Sequence, residues 1–131
     1  MKRLILAIAM TLLSAASSAD QISGVVVQGN GDRAEFERAL KLASNMREVL
    51  TTAKFEVVVF GPAIKLLEAF SDEVPLIQKV QSEGISVLAC GRSMKSEGMK
   101  DGDLAPGIAV VPFGAGHILE REKQGWQYFK P

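Results

Sequence analysis

Metal sites and disulfide bonds require residues that this chain largely lacks. Its 131 residues contain one cysteine, Cys90, and one histidine, His117. A single cysteine cannot form an internal disulfide, and these two residues fall short of the four ligands of a closed zinc site. We therefore expect neither a bound metal nor a disulfide within the chain.

An excess of charge of either sign is also missing. The chain has 15 basic and 15 acidic residues, and the basic residues form no stripe along the sequence. Nucleic-acid-binding proteins depend on clustered Lys and Arg side chains to neutralise phosphates. The charge balance therefore argues against a nucleic-acid partner.

Long apolar runs are absent except at the N-terminus, where Leu4–Leu13 follows the basic pair Lys2-Arg3. Small residues from Ser14 to Ala19 come next, as they do before a signal-peptide cleavage site. The apolar run is shorter than the ~20 residues that span a bilayer, which favours a cleaved signal over a membrane anchor. We predict a signal peptide at 1–19, a single domain at 20–131 and export to the bacterial periplasm.

Short apolar strands alternate with helices along the predicted domain. Asp32 and Glu35 form a capping-box pattern, which predicts a helix that continues to about Leu50. Further helices are expected after Pro62 and at 73–81, 92–97 and 114–124, and strands at 22–28, 55–60, 85–90, 108–111 and 126–129. This alternation predicts an α/β fold, a three-layer α/β/α sandwich with a mainly parallel sheet of about five strands.

Helical spacing also assigns side chains to the core. In the short helix after the second strand, Ile64, Leu67 and Phe70 recur at intervals of three. In the last helix, Ile118 and Leu119 are expected to point inward. Residues at such spacing form one face of a helix, so the first three predict a short helix there, and Ile118 and Leu119 are expected to be buried.

Cys90 is placed where a buried strand, 85–89, passes into a short helix. A thiol at that point faces the partial positive charge of a helix N-terminus, with Arg92 nearby, and both favour the nucleophilic thiolate. Free cysteine is also a common buried core residue, so an inert packing role for Cys90 stays open. The functional hypothesis is a nucleophile that carries a small group.

Ligands of parallel sheets bind beyond the carboxyl ends of the strands. Loops at that edge are predicted at 29–31, 61–62, 90–92 and 112–114. Because these loops share one edge, they are expected to form the walls of a pocket around the thiol. The predicted ligand-binding residues are Gly29, Asn30, Gly31, Gly61, Gly91, Arg92 and Ser93.

The first of these loops also matches the dinucleotide pattern G-x-G-x-x-A over residues 29–34. Two features argue against a nucleotide there. Asp32 and Glu35 place negative charge where a pyrophosphate would lie, and the second strand ends in Phe60-Gly61 without the acidic residue that binds a ribose. We interpret the glycines as a tight turn and expect no cofactor.

His117 falls in the first turn of the last helix and is the one histidine that could pass a proton to or from Cys90. A solvated or helix-capping role is the other interpretation, and it is favoured because the sequence fixes no distance between the two residues. In the final strand, Trp126 and Tyr128 alternate with Gln127 and are expected to cover one face of an edge strand or to meet another subunit.

Several stretches together resemble a known family: 55–67, 84–90, 103–107 with 110–112, and 125–131. On these stretches the chain is similar to the DsrE/DsrF-like proteins, which include sulfur-relay subunits of sulfur-oxidising bacteria and of tRNA thiolation. The resemblance covers nearly all of the predicted domain. It implies a compact α/β/α sandwich and a trimer or hexamer of identical chains.

In the sulfur-relay members, a cysteine at the end of the third strand carries sulfur as a persulfide. Cys90 resembles that residue, and Gly98 resembles the glycine that closes the short helix after it. Together with the predicted signal peptide, the resemblance therefore implies a periplasmic sulfur carrier that works with donor and acceptor proteins. The alternative is a non-catalytic oligomeric module that binds a small ligand or partner, with Cys90 only filling space.

Overall fold

The computed structural model describes residues 21–131. The predicted signal peptide lies outside the described residues. Across the part of the chain that the structure describes, no helix combines the length and the apolar character needed to cross a bilayer.

The centre of the fold is a sheet of five parallel strands, which confirms the predicted α/β sandwich. In spatial order the strands are β4 (Ala109–Val111), β3 (Ile85–Cys90), β2 (Lys54–Val59), β1 (Gly24–Gln28) and β5 (Gln127–Phe129). The three central strands are apolar along almost their whole length because both of their faces are covered. All five carboxyl ends lie at the same edge of the sheet.

Four α-helices connect the strands: α1 (Arg33–Val49), α2 (Val74–Ser82), α3 (Gly91–Ser96) and α4 (Gly114–Lys123). The capping box predicted for the first of them is present. The Asp32 side chain accepts the Glu35 amide at 2.8 Å, and the Glu35 carboxylate accepts the Asp32 amide at 2.9 Å. These two bonds satisfy amides that the first turn of a helix leaves free.

The two faces of the sheet bury unequal cores. A large cluster fills the space between the sheet and the helices α1, α2 and α3; its side chains include Phe36, Leu40, Ile64, Leu67, Ile77, Val80 and Met94. The opposite face, which we call the α4 face, buries a small cluster of Val26, Val58, Leu88 and Ile118. Within the described chain, α4 is the helix that contributes to this second cluster, through the single side chain of Ile118.

The structure differs from two of these predictions. Phe70 lies beyond the predicted helix and is 99% exposed, because the segment after β2 is a 3₁₀-helix that ends at Leu67, and the chain then turns away before α2. Leu119 is 65% exposed rather than buried, because its neighbour Ile118 takes the one inward position in that turn of α4. Ile64 and Leu67 are buried, and Ile118 is buried as expected.

Candidate functional site

Cys90 is the last residue of β3 and the N-cap of α3. Its side chain points to the α4 face, as does that of Leu88 two residues earlier, because side chains alternate along a strand. The residue is 2% exposed, so the thiol is covered in the single protomer. Its surroundings are therefore set by the neighbouring strands and loops rather than by solvent.

The loop after β4 supplies the closest polar contact of the thiol. The Gly114 amide donates a hydrogen bond to Cys90 Sγ at 3.2 Å. A Cβ at Gly114 would lie 3.1 Å from Cys90 Cβ and 3.2 Å from both Phe60 Cδ1 and Val58 Cγ1. That spacing is tighter than ordinary van der Waals contact, so glycine lets the first amide of α4 approach the sulfur.

The thiol is shifted toward its ionised form. Burial of the Cys90 thiol raises its pKa, but the Ser93 hydroxyl and the amides of Gly114, Ser93 and Arg92 together outweigh burial and hold the pKa below the ordinary value of 9.0. Hydrogen-bond donors that favour the charged form lower a pKa in this way. A lowered pKa raises the fraction of nucleophilic thiolate near neutral pH.

The loop after β2 contacts Ser93 through a hydrogen bond from the backbone of Gly61. The Gly61 amide donates to Ser93 Oγ at 2.8 Å, so this hydroxyl keeps its own proton available for another acceptor. Gly61, Arg92 and Ser93 line a cleft of about 290 Å³ together with Pro62, Ser96 and Glu97. Three of the predicted ligand-binding residues are thus brought together next to the strand end that carries Cys90.

Arg92 takes a different position from the one expected. Its guanidinium lies over the Phe113 ring, with Cζ 4.3 Å from the ring centroid. The backbone amide of Arg92, rather than its side-chain charge, is what lowers the pKa of the thiol. The stacked pair links the start of α3 to the residue just before α4. Gly91 lies against the same loop, since a Cβ there would meet the Val111 carbonyl oxygen at 3.2 Å.

The loop at 29–31 does not join this cluster. Asn30 and Gly31 line a separate depression of about 80 Å³ beside Lys130 and Pro131 at the C-terminus. Gly29 directly follows β1, and its amide donates to the Val58 carbonyl oxygen at 2.8 Å. The strand order explains the separation, because β2 lies between β1 and β3.

His117 is bound to a residue that the sequence analysis did not single out. Its Nε2 lies 2.6 Å from Glu56 Oε2, and Arg121 Nε donates to the same oxygen at 3.0 Å. Arg121 Nη2 donates to Glu56 Oε1 at 2.5 Å, and the Arg121 guanidinium also lies 4.4 Å from the Trp126 ring centroid. The side chain of His117 is therefore held by Glu56 and is 20% exposed, rather than solvated.

A signal for this cluster was present in the sequence. Glu56 is the one charged residue inside the otherwise apolar stretch 55–60, and charged residues are rarely buried without a partner. His117 and Arg121 stand four residues apart, so they share one side of α4. No grouping of three or more potential metal ligands occurs among residues 21–131.

Comparison with known proteins decides the family. The model of the DsrE/DsrF-like family matches residues 7–131. The chain belongs to this family. No curated protein matches it.

Solved structures agree with this placement in the DsrE/DsrF-like family. A protein of unknown function from Methanobacterium thermoautotrophicum is 30% identical, with a TM-score of 0.72 over 82% of this chain and 97% of that one. The ychN protein from E. coli shares 14% identity, with a TM-score of 0.66 over 82% and 100% of the two chains. A conserved protein of unknown function from Bacteroides thetaiotaomicron shares 18% identity, with a TM-score of 0.65 over 82% and 93%. The last two similarities are similarities of fold.

Membership of the DsrE/DsrF-like family is consistent with a fold of the sulfur-relay type. In this member a single cysteine is available, at the end of the third strand. Any thiol chemistry of the chain therefore depends on Cys90 alone.

Proposed function

We propose that this protein carries sulfane sulfur as a persulfide on Cys90. The observation that supports the proposal most directly is the Gly114 amide, which donates to the Cys90 sulfur. Together with the Ser93 hydroxyl and the amides at the start of α3, it lowers the thiol pKa despite burial. The same donors would stabilise the negative charge of a persulfide.

The transfer step needs no external oxidant. The Cys90 thiolate attacks the outer sulfur of a donor such as a hydropersulfide, a polysulfide or thiosulfate. A sulfur–sulfur bond forms to Cys90 while the bond inside the donor breaks, and the donor leaves with the electron pair as a thiolate, a shorter polysulfide or sulfite. In the second step an acceptor thiolate attacks the outer sulfur of the persulfide. The outer sulfur bonds to the acceptor, and the Cys90 sulfur leaves with the electron pair as a thiolate.

Gly61 and Ser93 have a supporting role in this proposal. The Gly61 amide fixes Ser93 Oγ as an acceptor, which orients the hydroxyl proton away from Gly61 and makes it available to an anionic sulfur. Arg92 adds its backbone amide, and its stacked side chain lies at the rim near Phe113. The cleft that Gly61, Arg92 and Ser93 line is the proposed approach for a small donor.

One observation favours the alternative, a binding module in which Cys90 only fills space. The residue is 2% exposed, and a donor must reach the sulfur to react. For the carrier to work, the loops at the starts of α3 and α4 must part. The binding module needs no such motion, so the reactivity of the thiol in the folded protein separates the two functions.

Intact-mass measurement tests the proposal. The protein is incubated with polysulfide in the absence of reducing agent, and the expected result is a mass increase of whole sulfur atoms that a reductant removes. Cys90→Ser should abolish the increase, since the chain has no other cysteine. A folded wild-type protein without an adduct, or an adduct that persists in Cys90→Ser, contradicts the proposal.

We also propose that the protein acts in the periplasm as a homo-oligomer. The basic start, the apolar run and the small residues of 1–19 support export. Large apolar side chains on the α4 face support assembly: Phe113 is 44% exposed, Leu119 65% and Tyr128 39%. Contiguous exposed apolar side chains are typical of protein interfaces.

A further inference from the structure

We propose that Glu56 is a positioning residue for the Cys90 thiol. Its carboxylate holds α4 against the sheet in the place where the Gly114 amide reaches the sulfur. The inference goes beyond the sulfur-carrier function, because it concerns the thiol whether or not that thiol accepts sulfur.

Glu56 lies on the α4 face of β2, and its side chain is 10% exposed. Both of its oxygens are bound by α4. His117 and Arg121 Nε contact Oε2, and Arg121 Nη2 contacts Oε1. Bidentate pairs of this kind between Arg and a carboxylate fix direction as well as distance. The carboxylate therefore sets both the height and the rotation of α4 on the sheet.

Apolar contacts alone hold α4 weakly. Ile118 is its one side chain in the buried cluster of the α4 face, whereas Leu119 points to solvent. A helix anchored by one apolar side chain can slide or turn about it. The contacts of His117 and Arg121 with Glu56 flank Ile118 on both sides along the helix, so they remove that freedom.

The other end of the same helix touches the reactive atom. Gly114 is the first residue of α4 and stands one turn before His117. Its amide is 3.2 Å from Cys90 Sγ, and the glycine has no side chain that would hold this end of α4 at a distance from Cys90, Phe60 and Val58. Movement of α4 away from the sheet therefore lengthens the hydrogen bond to the sulfur.

The Glu56 carboxyl group that holds α4 is ionised near neutral pH. Burial raises its pKa, but the hydrogen bonds from Arg121 and His117 and the positive charge of Arg121 outweigh burial and hold the pKa below the ordinary value of 4.5. The cleft of about 470 Å³ beside it is lined by Arg47, Lys54 and Arg121 as its other charged residues, all of them basic. Among the described residues, no second acidic side chain lines that cleft, so Glu56 is the carboxylate available there to pair with Arg121.

Glu56→Gln tests the inference, with the pH midpoint of Cys90 alkylation as the readout. Loss of the ion pairs frees α4, weakens the Gly114 hydrogen bond and should raise the midpoint by up to about one unit, which is about a tenfold loss of thiolate at lower pH. Removal of a negative charge by itself would act in the opposite direction, because fewer anions nearby favour a thiolate. The sign of the shift therefore separates positioning from simple electrostatics.

Glu37→Gln is the matched control. It makes the same change of charge on α1, where Glu37 pairs with Arg33 and Lys41 on the surface, away from α4. Its midpoint should stay at the wild-type value or fall slightly. If Glu56→Gln does not fold, Arg121→Lys is measured instead, because it keeps the positive charge but removes the bidentate contact, and it should raise the midpoint as well.

A folded Glu56→Gln protein with a wild-type or lowered midpoint overturns the inference, even if its stability falls, because a merely structural role would change stability alone. The result is also independent of the sulfur-carrier proposal. If Glu56→Gln raises the midpoint but the wild type forms no sulfur adduct, Glu56 positions the thiol and the carrier function is contradicted. If the wild type forms an adduct but Glu56→Gln leaves the midpoint unchanged, the carrier function stands and the positioning role is contradicted.

Discussion

At the scale of single residues, the environment of Cys90 is built from backbone amides and one hydroxyl. The Ser93 hydroxyl, the Gly114 amide and the amides of α3 all donate toward the sulfur, and within residues 21–131 no side-chain cation is among the groups that lower its pKa. Such donors do not lose their effect at high salt as surface charges do. The activation of the thiol is therefore a property of the folded backbone around it.

The contribution of Ser93 can be measured by Ser93→Ala. Loss of the hydroxyl should raise the pKa of the Cys90 thiol and slow its alkylation at neutral pH, because that hydroxyl favours the thiolate. Ser96→Ala is the control, since Ser96 lies in the same helix but donates to the Arg92 carbonyl oxygen. Equal Cys90 alkylation rates for the two variants would show that the Ser93 hydroxyl does not favour the thiolate.

The sequence indicated part of this arrangement. The end of a buried strand followed by a glycine and a short helix placed Cys90, Gly91 and Ser93 correctly along the chain. It did not indicate that Arg92 stacks on Phe113, or that Gly114 would reach the sulfur. Those contacts join residues that are more than twenty positions apart in the chain, and no local pattern records them.

At the scale of elements, the helix α4 is attached to the sheet through the buried side chain of Ile118 and through the contacts of His117 and Arg121 with Glu56. Glu56 has a pKa below its ordinary value of 4.5, so the folded protein binds fewer protons there than the unfolded chain does. The stabilisation is therefore complete above pH 4.5 and is lost as the pH falls through the lower, folded value. Acid should release α4 from the sheet before it affects the larger core.

This acid dependence predicts a difference between two proteins. The free energy of unfolding of the wild type should fall as the pH is lowered through the range just below 4.5, whereas that of Glu56→Gln should fall less steeply over the same range. Denaturant unfolding at a series of pH values measures both. Parallel curves for the two proteins would show that Glu56 is not a source of acid sensitivity.

At the scale of the whole molecule, the sheet is covered unevenly. One face lies under three helices and a large core, and the other carries α4 and a small cluster. Phe113, Leu119 and Tyr128 remain exposed on the α4 face. The Cys90 side chain points to this same face and is buried beneath it, so another protomer placed there would change the access of donors to Cys90.

We expect the mass of the particle in solution to be three or six times that of the protomer. Leu119→Asp should lower that mass, because it places a charge among the exposed apolar side chains of the α4 face. Val49→Asp is the control, since Val49 is 80% exposed but lies at the end of α1 on the opposite side. Light scattering measures both. A monomeric wild type, or an equal loss of mass in the two variants, contradicts assembly through this face.

The sequence by itself determined the order and type of the elements, the capping box at Asp32 and the family, because these follow from spacing and residue type within short stretches. The tertiary structure decided which loops meet. The order β4-β3-β2-β1-β5 places the loops after β2 and β4 beside Cys90 and sends the loop at 29–31 to the C-terminus. It also decided the burial of the thiol and the pairing of Glu56 with α4. The order of strands in a sheet depends on contacts between distant segments, which the local periodicity of a single sequence does not encode.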